Sequence, residues 1–173
     1  MSITLSSASL PVFQTALSNL LHCLNKAEAN AAARKFDPNV FVTMRLAPDM
    51  LPFAAQVRIA CDAAKNGTAR LAGIEAPKFD DNETTFAELQ ARVRKTLDWL
   101  ATVPAASIDD REAAEITFPV GRDKTRTMAG EAYLKHWALP NLFFHVTTAY
   151  ALLRHNGVDL GKADYLMGEQ AGA

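Results

Sequence analysis

Four histidines, His22, His136, His145 and His155, are the most versatile chemical groups in this chain. No two of them form an HxxxH, HxH or HExxH pair, so the sequence carries no self-sufficient metal signature. His22 lies between Leu21 and Cys23, His136 in the run "YLKHWALP", and His155 in a final helical turn, where a cation complements the helix dipole. All three read as structural. His145 differs, because it interrupts the almost wholly apolar "LPNLFFHVTTAYALLRHNG". Asn141, four residues earlier, lies about 40° away round a helix, and Thr148 continues the same face. Such a buried polar strip needs hydrogen-bond partners, since each orphan group costs about 1–3 kcal/mol. Gln56, the lone polar residue in the first apolar stretch of "LPFAAQVRIA", is the candidate partner. Gln56, Asn141, His145 and Thr148 therefore form either a core network that fixes helix register or the lining of a ligand pocket.

Other motifs carry less. Gly157 to Ala163 looks superficially like a phosphate loop, but its glycine spacing is one residue short and Ala163 replaces the magnesium-binding hydroxyl. Asp49, Glu75, Asp80, Asp81, Glu83, Glu88, Glu112 and Glu115 read as caps, loops or solvent faces, with no carboxylate mid-helix on an apolar face. The di-iron bundle plan requires inward glutamates, so it does not apply. Arg92, Arg94 and Lys95 read as a solvated face. Cys23 and Cys61 are far apart and sit in apolar segments, as buried free thiols of a reducing cytoplasm do. The sequons at Asn66 and Asn82 carry no meaning without a secretory context.

Helices position these residues. The first is expected from about Ser9, as N-cap, to Ala33, with Leu10, Phe13, Leu17, Leu20, Leu21 and Leu24 at helical spacing. After an irregular connection, Asp49 is expected to cap a second helix from Met50, with Pro52 in its first turn. That helix is expected to end at Gly67, with a short extension towards Gly73. Thr85 and Glu88 spell a capping box for the third helix, whose Phe86, Leu89, Val93, Leu97 and Leu100 recur every three or four residues. A small β-hairpin is expected between Pro104 and Pro140, turning at Gly121. The fourth helix is expected from Pro140 or Asn141 to a C-terminal stop at Asn156-Gly157. It is apolar nearly all round and so belongs at a centre. The tail is expected to fold back onto the bundle.

The 173 residues, 49% apolar, 21% charged and of net charge -1, suit one soluble domain spanning 1–173. There is no basic field for nucleic acid or anionic lipid. No stretch approaches the roughly 18 unbroken apolar residues of a membrane span, and the N-terminus does not read as a signal peptide. A cytoplasmic setting is the expectation.

Three longer runs, "RLAPDMLPFAAQVRIACDAAKNGTARLAG", "TFAELQARVRKTLDWL" and "YLKHWALPNLFFHVTTAYALLRHNGVDLGKADYL", resemble an uncharacterised domain-of-unknown-function family of the DinB/YfiT-like superfamily. The resemblance runs from about Ser9 to Leu166. It implies an all-α four-helix bundle of DinB/YfiT-like type, with the hairpin inserted between helices three and four. Many superfamily members hold a divalent metal through one histidine on helix two and an HxxxH on the last helix, some for thiol-transferase chemistry. Those positions fall on Gln56, Asn141 and His145 here. Neutral amides are poor substitutes for imidazole on zinc or nickel. The expectation is therefore a degenerate metal site, no resident cofactor, and a small-molecule pocket lined by Gln56, Asn141, His145 and Thr148. A divalent-metal-dependent thiol transferase or hydrolase, and a non-catalytic structural or interaction protein, are the alternatives. Superfamily members often form homodimers, and the irregular segment 34–48 could serve such a contact.

Overall fold

The computed structural model describes residues 3–172. Four long helices carry the bundle: α1 (Leu10–Ala33), α2 (Phe53–Ala72), α3 (Phe86–Leu100) and, after a hairpin and a short α4 (Gly130–Tyr133), α5 (Leu139–His155). A last helix, α6 (Lys162–Met167), returns across α1 as the apolar tail residues predict. Neighbours round the ring run α1, α3, α2, α5, so α1 and α2 face each other diagonally. Phe13, Leu17, Leu20, Leu24, Phe53, Leu71, Phe86 and Leu89 fill the middle, with Phe53 and Phe86 stacked at 6.0 Å. Among the described residues no helix is long and apolar enough to cross a membrane.

The third helix starts as its sequence predicts. The Glu88 amide donates to Thr85 Oγ1 (3.3 Å), and the Glu88 carboxylate accepts from the Thr85 amide (2.8 Å). The hairpin also forms, β1 (Glu115–Pro119) antiparallel to β2 (Thr125–Ala129), turning through Gly121 at φ +86°. Its alternation buries Ile116 and Phe118, and Phe118 meets Tyr133 and Trp137, each at 4.9 Å.

Several expectations about the helices need correction. Ser9 occupies the first cap position but does not cap; its hydroxyl donates back to the Leu5 carbonyl at 2.8 Å. Asp49 does not cap α2, which begins at Phe53 after an extended Pro52. The first free amides of α2, from Phe53 and Ala54, are instead satisfied by the carbonyls of Met44 (2.7 Å) and Val42 (3.1 Å), so the connecting loop is the cap. Nor does α2 stop at Gly67. A Cβ there would lie 3.2 Å from Phe13 Cζ and 3.5 Å from Ala138 Cβ, so this glycine serves close helix packing. The left-handed stop comes at Gly73, φ +68°.

The fourth long helix starts ten residues before Pro140. α4 passes through a π-helical turn, Leu134–Ala138, directly into α5. A proline inside a regular helix loses an amide and collides with the preceding turn. The wide turn lets the chain pass Pro140 without ending. Nor is α5 central all round, because Phe143 and Phe144 are 39% and 56% exposed. Gly130, at the start of α4, permits a close approach that any Cβ would block, since it would collide with the Arg111 carbonyl oxygen.

Candidate functional site

α2 and α5 run antiparallel: Gln56 meets His145 near the start of α2, and Gly67 meets Ala138 eleven residues on. His145 Nδ1 and Gln56 Oε1 are 2.7 Å apart. Gln56 Nε2 lies 3.0 Å from the Leu51 carbonyl oxygen, which can only accept. The amide must therefore turn its NH2 to Leu51 and its oxygen to His145, so Nδ1 carries the proton and donates. In the neutral ring Nε2 is then left with a free lone pair. Burial lowers the His145 pKa from its ordinary value, because the charged form loses water, so the ring is neutral at pH 7.

Gln56 is 1% exposed and His145 8%. Nε2 has no protein partner and is not among the fully buried orphan atoms of the described residues, so the ring's residual exposure includes it. The Phe144 ring stands edge-on to the imidazole at 5.1 Å. The seam thus presents one fixed hydrogen-bond acceptor beside an exposed aromatic ring.

The other two residues of the expected cluster are placed differently. Thr148 is buried, but its hydroxyl donates to the Phe144 carbonyl of its own helix at 2.7 Å. Asn141 makes no hydrogen bond to His145 or Gln56 and instead lines a cleft one turn further along the α2–α5 seam. That cleft, of about 200 Å³, is also lined by Ile59, Asp62, Asn66, Arg70, Tyr133 and Trp137. Asp62, Asn66 and Arg70 recur every four residues on α2, a polar stripe whose spacing was visible in the sequence.

Several charged groups tie elements of the bundle together. Arg92, expected in a solvated face, is 3% exposed and pairs with Asp62 (3.0 Å), Asp81 (3.0 Å) and Glu83 (2.8 Å). Asp62, which is half-buried, is also the mid-helix carboxylate the sequence reading missed. The Phe79 ring packs under the Lys65 and Lys95 ammonium groups at 4.4 and 4.2 Å, so the loop before α3 is clamped across α2 and α3. Buried Asp164 joins α6 to α1, accepting from Lys26 Nζ and meeting His22 Nε2, each at 2.9 Å. Despite its burial, the Gly161 amide, His22 and Lys26 lower its pKa to about 2. His22 thus ties α1 to α6. Burial pushes both thiols, Cys23 and Cys61, up to about 12, so neither is a ready nucleophile.

The DUF1993 family, a domain of unknown function, matches residues 5–166. The chain belongs to this family. The crystal structure of a DinB family member protein from Shewanella denitrificans is 43% identical, with a TM-score of 0.85 over 94% of this chain and 91% of that one. Fold and DinB kinship, expected from the quoted runs, therefore stand. No curated protein matches.

Proposed function

We propose that this DinB-like bundle binds a small organic molecule at the α2–α5 seam, with His145 Nε2 accepting a hydrogen bond from it. The observation that carries this reading is the relay from Leu51 carbonyl through the Gln56 amide to His145, which fixes the tautomer and leaves Nε2 with a free lone pair on a ring that is not fully buried. A purely structural network needs only the Nδ1 bond; it does not need an unsatisfied nitrogen reaching solvent.

The divalent metal implied by the DinB resemblance does not suit these residues. The corresponding positions offer one imidazole and two amides, all neutral, with no carboxylate or thiolate to compensate a dication. His145 Nδ1 and Gln56 Oε1 also hydrogen-bond directly, leaving no room for an ion between them. In this reading the seam has exchanged a metal for a polar contact, and no reaction step through a metal is derived.

One pair of measurements tests the proposal. Elemental analysis of the purified protein should give substoichiometric zinc and nickel, and ligands found by thermal-shift screening of small alcohols, amines and thiols should lose affinity in His145→Phe. Stoichiometric metal that disappears in His145→Ala would overturn the reading in favour of a metal-dependent transferase or hydrolase. A second reading, a structural pair only, is favoured by the near-complete burial of Gln56. It predicts that His145→Phe changes stability and no ligand response.

A further inference from the structure

The cleft at Asn141 has a chemistry of its own. Arg70 NH1 donates to the Tyr133 hydroxyl at 3.1 Å, and the guanidinium lies 5.6 Å from the Phe118 ring centre. Among the described residues no carboxylate comes within ion-pairing distance of it. Its other donors have no protein acceptor and are not buried orphans, so they remain open to solvent. The side-chain amides of Asn66 and Asn141 likewise make no hydrogen bond to the described residues, although both residues line the cleft. Asp62, at the opposite end of the stripe, is already paired with Lys65 (3.0 Å) and Arg92 (3.0 Å). Of the two charged groups lining the cleft, Arg70 is thus the one without an oppositely charged partner among the described residues. Ile59, Pro119 and Trp137 supply apolar and aromatic walls.

We infer that this cleft binds a small organic carboxylate, with the carboxylate on Arg70 and the Asn66 and Asn141 amides and the flat apolar body against Trp137. A guanidinium with free N–H donors matches a carboxylate by paired hydrogen bonds. A volume of about 200 Å³ holds the equivalent of about seven waters, which limits the ligand to benzoate size rather than a nucleotide or peptide. The π turn contributes geometrically: it carries Trp137 into the wall immediately before Pro140 and Asn141. The inference rests on the reading that the α2–α5 seam takes a small molecule, but it does not depend on His145.

The test is an amide and indole NMR titration with benzoate, benzamide and inorganic phosphate as probes. Benzoate should shift the Trp137 indole and the Asn66 and Asn141 side-chain amides in a saturable way. Benzamide and phosphate should each bind on the order of tenfold more weakly, the first lacking charge and the second lacking the flat body. Arg70→Met and, separately, Asn66→Leu, which leaves the Tyr133 contact intact, should each weaken benzoate on the order of tenfold with the fold retained by circular dichroism. His145→Phe should keep benzoate affinity, so a failure of the His145 reading shows separately. Equal affinity for benzoate and benzamide, or unchanged benzoate binding in both cleft variants, or no saturable shift at all, would overturn the inference.

Discussion

Replacing Gln56 by leucine is the sharpest structural perturbation of the seam. The side chains are similar in size, so the change removes polar atoms with little change of volume. Two hydrogen bonds go: the one that takes the His145 Nδ1 proton and the one that satisfies the Leu51 carbonyl. Gln56 is 1% exposed, so water cannot easily replace it. A stranded buried donor costs about 1–3 kcal/mol, and the part-exposed Leu51 carbonyl adds little, so we expect a loss of about 2 kcal/mol. For a chain of this length that is a fall in Tm of about 4–8 °C. Gln56→Leu combined with His145→Phe should recover more than half of that loss, because two apolar partners leave no orphan. Urea denaturation and calorimetry on the wild type, both single variants and the double variant measure the cycle. If the double variant is no more stable than Gln56→Leu, or if Gln56→Leu is neutral, the two side chains are not coupled and the tautomer argument fails.

Other parts of the molecule give independent checks. Asp164 binds protons less readily folded, near pKa 2, than unfolded, near 3.8, so it contributes about 2 kcal/mol above pH 4. About two-thirds of that contribution is lost by pH 2.5; comparing urea midpoints with Asp164→Asn across this range isolates it, and a gap that does not narrow on acidification contradicts the assignment. Arg92→Met leaves Glu83 and Asp62 without their shared buried cation, at a cost of about 3–5 kcal/mol, and should open the preceding loop to trypsin at Lys78. An uncleaved, equally stable variant would show that the clamp contributes nothing. Gly130→Ala should lower Tm by several degrees in a thermal melt, because its Cβ must displace the Arg111 backbone.

What could be read in advance followed from local rules. Leu10 to Leu24, the Thr85–Glu88 box and the alternation around Phe118 each encode their element within one or two turns, and those elements formed. The start of α2 was not local, since its cap is two backbone carbonyls from a loop nine to twelve residues upstream. Pro140 looked like a helix start because a proline at a first turn is ordinary; only the π turn before it makes a longer helix feasible. Arg92 looked solvated because two of its ion partners lie in the preceding loop and the third on α2. Gln56 and His145 were paired by their polarity within apolar runs and by the DinB resemblance. Thr148 shared their face, yet its hydroxyl had a nearer acceptor in its own helix. The Asp62–Asn66–Arg70 stripe was plain in its spacing, but its significance depends on Asn141 and Trp137 from the other side of the seam.

The proposed function depends on the protonation of one ring, and nitrogen-15 NMR of the His145 imidazole at pH 7 reads it directly. The predicted spectrum is that of a neutral ring with Nδ1 protonated and Nε2 bare, unchanged by added zinc, with Nε2 shifting when a seam ligand binds. A ring protonated on Nε2, a doubly protonated ring, or a stoichiometric zinc-induced shift of either nitrogen would contradict it.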